Sequence, residues 1–201
     1  MLIAFEGGEG SGKSTQAGIL AERLGAVLTH EPGATRLGAR VREVVLDPNS
    51  EIDPRAEALL LAADRAQHLA EVIGPALAKG RDVVTDRYLY SSIAYQAFGR
   101  GLELQSVRSL SAFAGAPDAD LVVLITVSPE TRAQRLKAAA DRIEASGDEF
   151  HHRVELGFKA MADGDPHRWA VIDGDGTVDE VAARVWEAVA SRNPTQTSTD
   201  S

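Results

Sequence analysis

Residues Gly7 to Ser14 read GGEGSGKS and satisfy the spacing G-x-x-x-x-G-K-[ST]. Glycines at those positions let the backbone curl until successive N–H groups point inward, forming a cradle for phosphate oxygens. A helix beginning at the end of such a loop adds its partial positive charge. Lys13 would reach the β and γ phosphates of a nucleoside triphosphate, and Ser14 would offer its hydroxyl to Mg²⁺. The expected binding segment is Gly7, Gly8, Glu9, Gly10, Ser11, Gly12, Lys13, Ser14 and Thr15. Glu9 is unusual there, because an acid near bound phosphates is unfavourable unless another group offsets it. It suits either a water on the metal or a sugar hydroxyl of a second substrate. The motif does not name the group that accepts the phosphate.

A second group of polar residues follows the apolar run 82–86, in VVTDRYLYSSIAYQ. Asp86 and Arg87 would emerge at the carboxyl end of a buried strand. Asp86 suits outer coordination of Mg²⁺, and Arg87 suits a forked grip on a phosphate. Ser92 and Gln96 are four apart and share a helix face with Tyr95 nearby. Gln carries a donor and an acceptor and can read the edge of a base, or it can simply belong to a polar helix surface. The phosphate loop itself holds one basic side chain, so further neutralising charge must come from elsewhere. The segment with Arg132, Arg135, Lys137, Arg142 and Arg153 is the natural source, although acids are interspersed along it. Arg135 and Arg142 would lie near one face if the helix were continuous. His68 reads as a packing or surface residue. The adjacent His151 and His152 diverge on a helix and make a poor metal pair.

These residues need a scaffold that brings strand ends together. Short apolar runs at 2–6, 26–29, 82–86, 120–127 and 168–173 alternate with helical patterns at about 13–24, 35–46, 54–79, 91–97, 103–114, from 129, near 150–162 and at 177–190. That alternation predicts an α/β fold with a five-stranded parallel sheet covered on both faces by helices, as in P-loop NTPases. Ligands in such sheets sit at the carboxyl ends of the strands. The 201 residues suit one domain over 1–190, with a polar lid segment at about 137–150 and a disordered polar tail at 191–201. The turn from Ile172 to Thr177 is the expected adenine location. A formal net charge of -9 argues against nucleic-acid binding. No apolar run reaches the ~20 residues of a membrane span. MLIAFEGG lacks the features of a signal peptide, and the absence of cysteine suits a reducing cytoplasm.

Several segments together resemble the bacterial thymidylate kinase family: FEGGEGSGKST, HEPGATRLGARVR, AEALLLAADRAQH, IGPALAKG, VVTDRYLYSSIAYQAFGRG, PDADLVVLITVSPE and DRIE, in the family's order over most of residues 1–155. The resemblance implies a cytoplasmic homodimer that uses ATP with Mg²⁺ to convert dTMP to dTDP. It implies that Arg42 and Arg87 bind the acceptor phosphate and that Glu31 and Pro32 belong to the acceptor loop. Arg65 would reach the thymine edge with Ser92 and Gln96, Tyr95 would crowd the sugar 2′ position, and Arg142 would close over the transferred phosphate. The expected catalytic set is Lys13, Arg87, Arg142 and Glu9, with Ser14 and Asp86 at the metal. The chain departs from the family at Leu61, where an aromatic side chain usually stacks on thymine, and at His30 and Ala34 in the acceptor loop. Alternatives are a kinase for another nucleoside monophosphate and a non-catalytic nucleotide-binding homologue. No N-K-x-D guanine motif supports a GTPase.

Overall fold

The computed structural model describes residues 1–135 and 141–192. Lys137, the start of the expected lid and the expected tail beyond Arg192 lie outside the described residues. Five parallel strands form one sheet in the order β2-β3-β1-β4-β5: β1 Leu2–Glu6, β2 Val27–His30, β3 Val83–Asp86, β4 Leu121–Thr126 and β5 Trp169–Asp173. β1 is central because every one of its side chains can be buried, and all are. Successive residues point to opposite faces. Leu2 and Ala4 join a core with Tyr88, Ile93, Phe150, Val154 and Trp169, whereas Ile3 and Phe5 join one with Leu20, Val181 and Val185.

The helices are α1 Lys13–Leu24, α2 Arg36–Leu46, α3 Pro54–His68, α4 Gly74–Ala78, α5 Leu89–Ser92, α6 Leu104–Phe113, α7 Pro129–Arg135, α8 Asp148–Gly164 and α9 Val178–Ala190. α1 and α9 cover one face of the sheet, while α8 and the segment after α5 cover the other.

Three local expectations need correction. The helix expected over 54–79 is interrupted by a π-helical turn at Leu69–Ile73, in which the Gly74 N–H reaches Leu69 O. Pro75 has no N–H to continue the α-helical ladder, and the wider turn accommodates it. The helix expected at 91–97 is a short α5 running into a π-helical segment at Ile93–Gly99. That wide turn carries Tyr95 and Gln96. Arg142 is not on a continuation of α7: it lies in a turn before a 3₁₀ turn at Glu144–Ser146, and α8 already begins at Asp148.

Candidate functional site

The carboxyl ends of β1, β2 and β3 converge on one cleft, a cavity of about 390 Å³ shared by Lys13 and Ser14 of the loop with Arg42, Arg65, Arg87 and Gln96. The loop follows from its glycines. Gly7 (φ 142°) and Gly12 (φ 87°) occupy backbone regions that a side chain would strain. At Gly7 an added Cβ would also lie 2.4 Å from Ile125 O. Lys13 opens α1 and is 6% exposed. Its Nζ donates to Gly8 O at 3.4 Å and sits 3.7 Å from the Glu9 carboxylate. Burial and the nearby Arg87 lower the Lys13 pKa, opposed by Glu9, Asp86 and Glu6. An ammonium so desolvated gains strongly from a polyanionic ligand.

Ser14 Oγ donates to Asp86 Oδ2. The other carboxylate oxygen, Oδ1, is buried without a hydrogen-bond partner among the described residues. A hydroxyl, a carboxylate and a spare oxygen beside the loop are the oxygen donors that a hard divalent cation takes. Among the described residues no group of three His, Asp or Glu side chains could hold a metal ion unaided.

Arg87 adopts φ 71°, the sole non-glycine positive φ among the described residues. Such strain persists only where neighbours over-determine it. Arg87 N donates to Phe5 O at 2.8 Å, and Thr85 Oγ1 donates to Arg87 O at 2.8 Å. Glu6, fully buried at the end of β1, accepts from Tyr88 N at 3.0 Å, from Ser91 N at 3.1 Å and from Ser91 Oγ at 2.6 Å. The guanidinium then donates to Gly7 O, Ser91 Oγ, Tyr95 OH and Glu9. Burial would raise the Glu9 carboxyl, but Arg87 and Lys13 outweigh it and hold the group at about 2. Glu9 therefore lies on two cations of the site.

Sequence reasoning passed over Glu6; its signal was a lone acid in a wholly buried strand. Burial pushes its carboxyl up to about 7 against the hydrogen bonds from Ser91 and Tyr88 and the charge of Arg87. An unfolded chain releases that proton near 4.5, so between there and about 7 the native state holds a proton that the unfolded state has lost. Stability from this group is greatest below the lower value and declines as pH rises through the upper one. Glu6→Gln removes that titration. Its melting temperature relative to the parent should rise between about pH 5 and about pH 7.5. Thermal unfolding of both proteins across that range checks this, and a constant difference would refute it.

On the acceptor side, Arg42 Nη1 donates to Pro32 O at 3.0 Å, next to a cis Glu31–Pro32 peptide. Arg65 is 3% exposed. It donates to Glu31 Oε2 at 2.9 Å, to Ser92 Oγ at 3.0 Å and to Ser111 Oγ at 3.2 Å. His68 is no surface residue: it is fully buried, pairing Nδ1 with Glu31 Oε1 at 3.0 Å and Nε2 with Thr29 Oγ1 at 2.6 Å. Asp64, also missed, accepts from Gly33 N at 3.2 Å. Burial and the neighbouring Glu31 raise its carboxyl to about 6. Leu61, Ser92, Tyr95, His30 and Glu31 all line the same cleft.

Arg135 and Arg142, expected near one face of a continuous helix, lie in different places. Arg142 does not line the cleft; its Nε donates to Val45 O at 2.8 Å and its Nη2 pairs with Glu57. Arg135 instead lies against the phosphate loop, donating to Gly10 O at 3.3 Å, Ser11 O at 3.2 Å and Gly174 O at 3.0 Å. It thereby joins the loop to the turn expected to hold adenine. A turn-borne Arg142 has a buried carboxylate within reach, whereas α7 places Arg135 beside backbone carbonyls of the phosphate loop and of the turn after β5. His151 Nε2 lies 2.9 Å from Glu144 O, a structural contact.

Comparison with known proteins agrees with this geometry. The family model described as thymidylate kinase matches residues 5–185. The thymidylate kinase of Synechococcus sp. (strain JA-2-3B'a(2-13)) is 46% identical, with 98% of each chain covered. That of Deinococcus radiodurans is 44% identical over 96% of this chain and 97% of the relative. The crystal structure of thymidylate kinase from Ehrlichia chaffeensis superposes with a TM-score of 0.78 at 31% identity, covering 94% of this chain and 97% of that one.

Proposed function

The chain belongs to the thymidylate kinase family, and from that premise we propose how its cleft carries the reaction. The protein transfers the γ-phosphoryl group of ATP to dTMP, forming dTDP and ADP. The observation that carries the reading of the site is the single cleft joining Lys13 and Ser14 to Arg42, Arg87 and the Leu61–Arg65–Gln96 pocket.

In this reading the loop amides and Lys13 hold the triphosphate, and Arg135 supports the outer side of the loop. Arg42 and Arg87 hold the phosphate of dTMP opposite it. The attacking phosphate oxygen is already anionic, so no strong general base is required; positioning and charge neutralisation do most of the work. Glu9 keeps Arg87 and Lys13 in place between turnovers. Ser14 and Asp86 would hold Mg²⁺, which supplies positive charge at the β and γ oxygens. Arg142 would reach the transferred group through a lid movement that releases Glu57 and excludes water. Arg65, Ser92 and Gln96 meet the base, Leu61 packs on its face, and Tyr95 narrows the space beside the sugar.

Residues 1–190 are read as one domain and the active form as a homodimer. Leu59 on α3 and Leu104 and Phe113 on α6 are exposed, Phe113 to 94%, on two helices that pack together. Light scattering should give the mass of two chains. No helix among the described residues is long and apolar enough to cross a membrane. We place the protein in the cytoplasm, and its recovery in the supernatant of lysed cells checks this.

The decisive assay offers dTMP, dUMP, dCMP, dGMP and AMP with ATP, in the presence and absence of Mg²⁺, and follows ADP. The expected result is fastest turnover on dTMP and loss of turnover on chelation. Equal or faster turnover of another acceptor would overturn the assignment.

A further inference from the structure

Glu57 takes no part in the reaction as described, yet it is the most heavily contacted buried acid near the acceptor pocket. It lies on α3 at 1% exposure. Its Oε1 accepts from Gln96 Nε2 at 2.8 Å and from Arg100 Nε at 3.4 Å. Its Oε2 accepts from Arg100 Nη2 at 3.3 Å and from Arg142 Nη2. Burial alone would raise this carboxyl, but Arg142, Gln96 and Arg100 together lower it, so it is ionised at neutral pH. Arg100 remains to hold that charge when Arg142 leaves.

An ionised carboxylate only accepts hydrogen bonds. Gln96 must therefore turn its NH₂ toward Glu57, which leaves its Oε1 without that partner. That oxygen is buried with no hydrogen-bond partner among the described residues, and Gln96 lines the acceptor cleft beside Leu61 and Arg65. A bare amide oxygen held in one orientation accepts from a donor and repels a lone pair. Thymine and uracil present a donor at N3–H, whereas cytosine presents a lone pair at N3.

We propose that Glu57 is a specificity-determining positioning residue: by engaging the Gln96 NH₂ it leaves the amide oxygen as the group that residue can offer a base, and the site then favours bases that carry N3–H over cytosine. The inference deepens the proposed function and rests on the base meeting Gln96. Buried polar groups that match one ligand and clash with another discriminate more strongly than apolar contacts do. The amide introduced by Glu57→Gln donates as well as accepts, and the Gln96 amide can then rotate to suit either base.

The test measures kcat/KM for dTMP and dCMP in the parent, in Glu57→Gln, in Gln96→Met and in the double variant. Glu57→Gln should raise the dCMP:dTMP ratio about tenfold, the scale set by one neutral hydrogen bond, with the change carried by KM. In the Gln96→Met background the same substitution should leave the ratio unchanged. Loss of the Arg142 contact would change kcat for both acceptors alike, through the lid, and would not move the ratio. Glu57→Met leaves the amide equally free and replaces Glu57→Gln if the latter does not fold. An unchanged ratio in a folded Glu57 variant, or an equal rise without Gln96, overturns the proposal while the parent's preference for dTMP stands. A parent that does not prefer dTMP to dCMP overturns the underlying reading, and this inference with it.

Discussion

Lys13→Ala is expected to lower kcat for dTMP phosphorylation by about 10²–10³-fold or more, the range seen when one preorganised donor to developing charge is removed. Lys13 is the sole basic side chain of the phosphate loop, and it is nearly enclosed. In that setting its charge acts on the γ-phosphoryl oxygens with little screening by water. The fold should tolerate the change. The desolvation that lowers the Lys13 pKa is a cost of burying the ammonium, which alanine removes. Glu9, its acidic neighbour, keeps Arg87 as a partner. Melting temperature and circular dichroism should therefore stay near those of the parent while turnover collapses. Turnover within tenfold of the parent in a folded variant would remove Lys13 from the reaction.

Arg87→Ala is expected to weaken dTMP productively bound at the site by about 3–6 kcal/mol, the worth of two charge-assisted hydrogen bonds to a phosphate. That corresponds to a loss of about 10²–10⁴-fold in kcat/KM for dTMP. The KM for ATP should change far less, because the loop amides and Lys13 remain. Arg87→Lys should recover little, since a single ammonium cannot span Gly7 O, Ser91, Tyr95 and Glu9 as the planar fork does. Steady-state kinetics in each substrate separates these effects. An unchanged KM for dTMP with a lowered kcat alone would place Arg87 outside the acceptor-phosphate site. The strained backbone at φ 71° makes a further comparison useful. Arg87→Gly should be more stable than Arg87→Ala by about 1 kcal/mol, because glycine adopts that region without a Cβ clash.

The phosphate loop was legible from residue types alone, because its function is carried by backbone amides and needs only glycines, one lysine and one hydroxyl at fixed intervals. Asp86 and Arg87 were legible for a related reason: polar residues directly after a buried parallel strand can only emerge at its carboxyl end. The sheet itself follows from apolar runs of strand length alternating with helical periods, and all five strands lie within a residue or two of expectation.

What the linear chain did not disclose is which buried charges meet. Glu9 and Arg87, Glu31 and His68, and Glu57 with Gln96 and Arg142 are separated by 37 to 85 positions. No local period links them. Arg135 and Arg142 looked interchangeable by composition. Only the end of α7, the turn after β5 and the position of Glu57 on α3 decided that one touches the phosphate loop and the other an acid at the base pocket. The residues and their spacing determined the phosphate chemistry, the sheet and the family likeness, because those depend on short-range pattern. The packing of distant elements decided the partners of Arg65, His68, Glu57 and Arg87. In a low-dielectric interior each partner is set by which opposite charge or hydrogen-bonding group lies within a few ångströms, and chain separation does not measure that distance.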